Sequence, residues 1–280
     1  MTDFELFIVF WLPAVLCGLT SGATCGLLGN FIVGMRIPFI GICIAHAALA
    51  GAVFGALLGA TGGWLTLSAL IASIITSGLL GICNPKWIKM DDNVIMSVLF
   101  SATMGLAFLG IGLFSVLGRS DNDIRSILWG SIAFCGWKEF WMTLTVGILL
   151  FLFILLFFKE LQAILISKET ASASGIRTGV IWGMFLVLTA LVFTVSFQSV
   201  GGLMVYSLVT KPATAAFQIS KGCIKTILIS TLFGATSGLG GFVISACWNL
   251  PCGAVIVLIS SLIVIICTAY RILQSKNICK

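Results

Sequence analysis

Charged residues are scarce in this sequence, at 9% of 280 residues, whereas a soluble domain carries about 25%. Hydrophobic residues reach 60%, and the mean hydropathy is +1.20. So few charges cannot cover a water-soluble fold, which excludes soluble enzymes and soluble binding modules. The longest polar-rich stretch, Gly118 to Glu139, is too short to bury a core of its own. We therefore expect a single membrane domain over residues 1–280.

Several signatures of chemistry are also missing. The sequence has no GxxxxGK[ST] loop to cradle a nucleoside triphosphate. His46 is the only histidine, and no apolar run contains an acid, which leaves too few groups for acid and base catalysis. The ten cysteines form no CxxC pair and lie mostly in apolar runs. The sequence therefore predicts no catalytic apparatus, no disulfide framework and no permanently bound cofactor.

Apolar runs, in contrast, are abundant. A helix needs about 20 residues to cross a hydrocarbon core about 30 Å thick, and nine runs approach that length. They are approximately Phe7 to Phe31, Phe39 to Gly59, Trp64 to Ile82, Val94 to Leu117, Phe140 to Phe158, Gly179 to Phe197, Val200 to Ile219, Thr226 to Cys247 and Cys252 to Leu273. We predict an all-α polytopic membrane protein with eight or nine transmembrane helices, because the seventh run is irregular.

The basic residues indicate an orientation. With the N-terminus outside, eleven Lys and Arg fall in inside loops or the tail and three fall outside, as the positive-inside rule requires. The inside set is Arg36, Lys86, Lys89, Lys159, Lys168, Arg177, Lys221, Lys225, Arg271, Lys276 and Lys280, and the outside set is Arg119, Arg125 and Lys138. We therefore expect a cell-membrane protein with a cytoplasmic C-terminus and no nucleic-acid partner, despite a net charge of +6. The acids Asp3 and Glu5 indicate a retained first span and not a cleaved signal.

Two patterns predict how the helices pack. Stripes of glycine at four-residue spacing let helix backbones approach closely, and we expect the stripes of the first two runs to pack against each other. These stripes are Gly18, Gly22 and Gly26, and Gly51, Gly55 and Gly59. In the seventh run, Pro212 is predicted to break the helix. Such a break is tolerated beside a cavity, so this run is expected to line a pathway; a simple kink in a packed helix is the alternative.

Several segments follow one another in a recognisable order. LLGNFIVGMRIPFIGICIAHAALAGAVFG covers Leu27 to Gly55, QSVGGLMVYSLVTKPATAAF covers Gln198 to Phe217, and GLGGFVISACWNLPCGAVIVL covers Gly238 to Leu258. Shorter matches begin at Asp91, Asp123 and Lys168. Together they resemble the family of ABC-importer permeases for zinc, manganese and iron over nearly the whole chain.

The resemblance implies a type II ABC-importer fold and a homodimer that encloses the translocation pathway. It also implies ATPase subunits on the cytoplasmic side, an extracytoplasmic metal-binding protein and a transported divalent metal ion. The expected pathway residues are His46, Gln198, Gly201, Gly202, Lys211 and Pro212.

His46 is the expected metal ligand, because an ionisable residue inside a span is a functional candidate and imidazole binds divalent transition metals. The family has an acid one helical turn earlier, where this chain has Ile42. Cys43 is a candidate second ligand, with a small packing residue as the alternative. Lys211 stands where the family usually has an uncharged residue, and it either faces the lumen or extends to the inner edge.

The inside segment 159–177 is the expected ATPase-coupling element, with Glu169, Ala171 and Gly175 as its key residues. Ser167 is predicted to cap a short helix through Thr170, and Gly175 to end it.

Two other classes of transporter compete with the metal-ion permease. A permease for a chelate such as haem, cobalamin or a siderophore suits the loss of an acid at position 42 and the gain of Lys211. A self-sufficient secondary transporter is expected to carry acids in its spans or an inverted repeat, and the sequence shows neither.

Overall fold

The computed structural model describes residues 11–82, 91–117 and 135–278, and the regular structure in these ranges is entirely helical. The helices are α1 Leu12–Gly34, α2 Phe39–Leu57, α3 Gly63–Ile82, α4 Asp92–Val116, α5 Trp137–Leu156, α6 Phe158–Ile166, α7 Lys168–Ala173, α8 Thr178–Val200, α9 Gly202–Ile219, α10 Cys223–Trp248 and α11 Cys252–Ile278. The predicted all-α fold is confirmed. Residues 118–134 of the polar stretch lie outside the described ranges.

Eight of the described helices are long and apolar enough to cross a membrane. They are all the helices except α6, α7 and α9, and this count lies within the predicted eight or nine. Helix α9 corresponds to the irregular seventh run. Its 18 residues rise about 27 Å, which is nearly the thickness of the hydrocarbon core. It is not counted among the eight because Lys211 and several hydroxyl side chains lower its mean hydropathy.

Contacts between distant helices fix their directions. Glycines of α1 face α10 in reverse order, with Gly18 against Gly238 and Gly22 against Gly234, so these two helices are antiparallel. Helices α9 and α11 run parallel, because α9 contacts α11 from Met204 at Gly253 to Gln218 at Arg271. Successive long helices therefore alternate in direction, and α9 runs through the bundle like the eight spans.

This alternation gathers most of the described basic residues at one end of the bundle. We call it the basic end; the turn between α8 and α9 marks the opposite end. The basic end holds Arg36, Lys159, Lys168, Arg177, Lys221, Lys225, Arg271 and Lys276, and the opposite end holds Lys138. Lys86, Lys89, Arg119, Arg125 and Lys280 lie outside the described residues.

The two glycine stripes do not pack against each other, so that prediction is wrong. The α1 stripe packs against α10, where Ser230 Oγ donates a hydrogen bond of 2.6 Å to the carbonyl oxygen of Gly26. The α2 stripe packs against α3, with Gly51 and Gly55 facing Ser68. Each stripe takes a partner that is itself small at the crossing point, because close approach needs small residues on both helices.

Pro212 does not break its helix, which corrects the second packing prediction. Helix α9 continues from Gly202 to Ile219 with Pro212 inside it and buried. Neighbouring helices hold it in place: α1 approaches so closely at Gly29 that an added Cβ would collide with the carbonyl oxygen of Val209. Proline is tolerated inside a membrane helix when packed neighbours enclose the freed backbone groups. The chain is interrupted at Gly201 instead, whose φ of +95° separates α8 from α9.

Candidate functional site: a polar face on α2 and α4

His46 lies on α2, seven residues beyond the first residue Phe39, so it is about 10 Å into the bundle from the basic end. Its Nδ1 is 3.0 Å from the carbonyl oxygen of Ile42. A carbonyl only accepts, so Nδ1 carries the proton and Nε2 keeps the lone pair that can bind a metal ion. The ring meets Phe100 of α4 edge to face at 4.9 Å and is partly exposed.

The two other predicted features of this turn of α2 differ in exposure. Ile42 is half-buried one turn before His46. Cys43 is 0% exposed and belongs to the hydrophobic core. The thiol therefore does not reach the partly open surface that holds His46, and its role as a ligand stays a prediction.

Helix α4 carries a polar ladder that the sequence interpretation did not include: Asn93, Ser97 and Ser101, at four-residue spacing on one face. Asn93 and Ser101 are exposed and Ser97 is half-buried. The two hydroxyls donate to the carbonyl oxygens four residues earlier, at 2.7 Å and 3.0 Å. Their own oxygen lone pairs stay available as acceptors. The periodicity was the signal that could have identified this face.

The ladder and His46 belong to neighbouring helices that run side by side. The Asn93 amide donates to the carbonyl oxygen of Arg36 at 3.1 Å, and Val53 faces Gly110 at the other end of the pair. Of the eight spans in the described residues, α4 is covered least, with 17% of its apolar window buried, against 67% for α1 and for α2. We call the surface formed by His46, Asn93, Ser97 and Ser101 the polar face.

The other predicted pathway residues lie at the α8–α9 junction and on α9. Gly201 provides the positive φ of the turn at the opposite end. The side-chain positions of Gln198 and Gly202 lie outside what the structure describes. Pro212 is buried in the packed interior. No hydrogen bond or ring contact joins the described members of this group to His46.

Lys211 is bound to α11. Its ammonium group donates to Ser261 Oγ at 2.6 Å and to the carbonyl oxygen of Val257 at 3.2 Å. Such partners offset the cost of an ammonium group inside a membrane span. The side chain is half-buried, so it lies in the contact between α9 and α11 and is neither wholly open nor extended to the edge.

No preformed metal site is present within residues 11–82, 91–117 and 135–278, where no three His, Cys, Asp or Glu side chains converge. His46 is then a single imidazole on α2, packed against Phe100 of the helix that carries the hydroxyl and amide ladder. Such a group binds a metal ion weakly and for a short time, which suits passage, since ions must be able to leave a pathway as well as enter it.

The predicted short helix at the basic end is confirmed. Ser167 caps α7 by accepting a 3.2 Å hydrogen bond from the amide of Thr170, and Glu169 lies in the first turn. Gly175, at φ +83°, follows the end of the helix. Ala171 is 3% exposed and anchors α7 to the core. The coupling role of Glu169, Ala171 and Gly175 stays a prediction.

Known proteins match this chain along most of its length. The model of the ABC 3 transport family matches residues 8–271. The manganese import system permease protein ScaB of Streptococcus gordonii is 31% identical over 255 residues, which are 90% of this chain and 88% of ScaB. The manganese transport system membrane protein MntC of Halalkalibacterium halodurans is 27% identical over 248 residues, which are 89% of this chain and 82% of MntC.

The fold also matches a solved structure, PsaBC from Streptococcus pneumoniae in complex with Fab. The TM-score is 0.79 at 24% sequence identity, with 95% of each chain covered. At that identity the match supports the arrangement of helices and carries no information on the cargo.

Proposed function

Because the chain belongs to the ABC 3 transport family, we propose that it is the permease subunit of an ATP-driven importer of manganese. Two copies enclose the pathway, a separate ATPase binds at the basic end, and an extracytoplasmic binding protein delivers the ion. The ATPase is a different chain because this sequence has no phosphate-binding loop. The positive-inside rule places the basic end in the cytoplasm and the N-terminus outside.

The polar face is the observation that carries this proposal. The hydroxyls of Ser97 and Ser101 keep oxygen lone pairs that lipid cannot satisfy, and they line an open side of α4, the least covered span of the described residues. A second copy of the chain covers this side and leaves a water-filled pathway between the copies. Hydroxyl oxygens, water and one imidazole suit Mn²⁺, which accepts oxygen and nitrogen ligands.

The chelate alternative rested on two features, the loss of an acid at position 42 and the gain of Lys211 as a lumenal cation. The ammonium group donates to Ser261 and Val257 of α11, which hold it in the contact between two helices. This weakens one of the two grounds for an anionic chelate, and the similarity to the manganese permeases ScaB and MntC favours a bare dication as the cargo.

His46→Ala is expected to reduce ATP-dependent manganese uptake by at least about tenfold, a loss typical of disturbed metal ligation. Uptake is measured in vesicles that contain the chain, its ATPase and its binding protein. His46→Phe is the matched control for packing, because it keeps a ring against Phe100 and removes both nitrogens. Full uptake by His46→Phe would identify His46 as a packing residue and contradict its role in the pathway.

Cys43→Ala tests the second candidate ligand in the same uptake assay. The losses caused by Cys43→Ala and His46→Ala are expected to be non-additive only if the thiol shares the metal site with the imidazole.

Lys211→Met is expected to maintain or raise manganese uptake in the same vesicles, because it removes a cation from the neighbourhood of a cationic cargo. The carbonyl oxygen of Val257 keeps hydrogen bonds from Ser260 and Ser261 at 3.0 Å and 2.6 Å, so no buried acceptor is left unpaired. Ser261→Ala controls for the loss of the contact with α11. A fall in uptake with Lys211→Met alone would indicate an anionic cargo.

A further inference from the structure

An apolar groove of about 690 Å³ lies between α5 and α8, and no residue of the proposed pathway lines it. All its lining residues are Leu, Phe, Val, Met or Gly. The principal side chains are Leu149, Leu152, Leu156, Val180, Met184 and Val187. We call it the α5–α8 groove.

Glycine makes this groove deep. Gly179 and Gly183 line it, and a Cβ added at either position would meet no atom within 4 Å. Glycines in the α1 stripe differ, because the backbone of another helix fills the space above Gly22 and Gly26. The surface of α8 is therefore open down to its backbone at two successive turns.

The groove is about as long as one leaflet of the hydrocarbon core is thick. From Gly179 to Val187 on α8, and from Leu149 on α5 to Phe157 just beyond its end, each side is about 12 Å long, close to half of the roughly 30 Å hydrocarbon core. Beyond Thr189, α8 is almost wholly buried in its own chain. A helix of another protein would need an open face across the whole membrane, whereas an acyl chain from one leaflet needs only this half.

The mouth of the groove lies at the basic end. Arg177 is exposed and immediately precedes α8, two residues from Gly179. Lys159 is exposed in the first turn of α6, two residues beyond Phe157. The one acid beside them in the sequence, Glu160, is half-buried. Two exposed cations at the headgroup level attract anionic lipid.

We propose that the α5–α8 groove binds one acyl chain of an anionic phospholipid from the leaflet at the basic end, with its phosphate at Arg177 and Lys159. The lipid then lies against α5 and α8, the two spans that flank α6 and α7 in the chain. This site is independent of the metal pathway, because its residues belong to other helix faces.

The test is native mass spectrometry of the full-length protein in neutral detergent, titrated with phosphatidylglycerol or phosphatidylcholine. One phosphatidylglycerol per chain is expected to bind. Each basic residue contributes about fivefold to affinity for anionic lipid, so Arg177→Gln with Lys159→Gln is expected to weaken phosphatidylglycerol binding about 25-fold. Gly183→Leu fills the groove and is expected to abolish binding.

Matched controls distinguish this site from the general lipid shell. Lys221→Gln with Lys225→Gln removes two exposed cations at the same end, and Gly78→Leu adds the same side chain at another open glycine; both are expected to bind like wild type. Equal binding of the two lipids, or equal losses in the control variants, would overturn the proposal. So would a change of oligomeric state in Gly183→Leu, which would identify a second copy as the occupant.

Discussion

Gly29→Val is expected to leave little or no folded protein in the membrane. A Cβ at position 29 would collide with the carbonyl oxygen of Val209, so α1 and α9 cannot keep their separation. The contacts of α1 with α10 at Gly22 and Gly26 are also too close for a Cβ, which prevents α1 from moving aside. Overpacking of a closed core costs about 1–3 kcal/mol per site, occasionally more, and here the obstacle is backbone and not a side chain that can rotate.

The amount of monodisperse protein after extraction, and its thermal unfolding midpoint, measure this effect. Gly78→Val is the matched control, because a Cβ at Gly78 meets nothing within 4 Å. The control is expected to behave like wild type. If Gly29→Val gave the same yield and the same midpoint, α1 and α9 would be further apart in the membrane than the structure has them.

The number and boundaries of the spans could be predicted because the bilayer fixes the length of an apolar run. Partners of the glycine stripes could not. Spacing in sequence shows that Gly22 and Gly51 each lie on a small-residue stripe, but not which helix crosses each stripe. Which helix packs against a stripe depends on small residues on both helices at the crossing. Gly234 faces Gly22, but a single small residue in the sequence of α10 does not by itself predict that contact.

Pro212 shows the limit of a local rule. A proline in an isolated helix costs about 3 kcal/mol, and from sequence alone an interruption is the natural prediction. In the bundle, Pro212 is buried in a helix that continues without a break, since packing on several sides outweighs the local cost. The actual interruption is at Gly201, where a positive φ is easily adopted.

The candidate site was only partly visible for a different reason. His46 is conspicuous because it is the single histidine of the chain. Ser97 and Ser101 are not, because serine is common in membrane helices and bonds to its own helix. Their importance depends on which side of α4 other helices leave open, and that is a property of the assembled bundle. Helix α7 was predictable, since the Ser167 cap is a local interaction.

Glu169→Arg together with Gly175→Pro is expected to abolish ATP-dependent uptake while the chain still inserts and dimerises. The positive charge of an arginine in the first turn of α7 is repelled by the positive end of the helix dipole, which stabilises the carboxylate of Glu169. Proline is restricted to a φ near −65° and cannot adopt the +83° of Gly175. The buried anchor Ala171 is unchanged. Proline also removes the amide hydrogen bond from Gly175 to the carbonyl oxygen of Ser172, so the change falls on α7 and on the turn that follows it at the basic end.

Co-purification of the ATPase with the tagged chain, together with manganese uptake in reconstituted vesicles, measures the loss. Asp91→Arg with Gly222→Pro is the matched control: it reverses one exposed acid and replaces one glycine of positive φ, 95° at Gly222, at the same end. Because these residues lie outside α7, the control is expected to retain the ATPase. If both double variants bound the ATPase and transported like wild type, α7 would be a solvated loop helix, and the coupling surface would have to be sought in another part of the basic end.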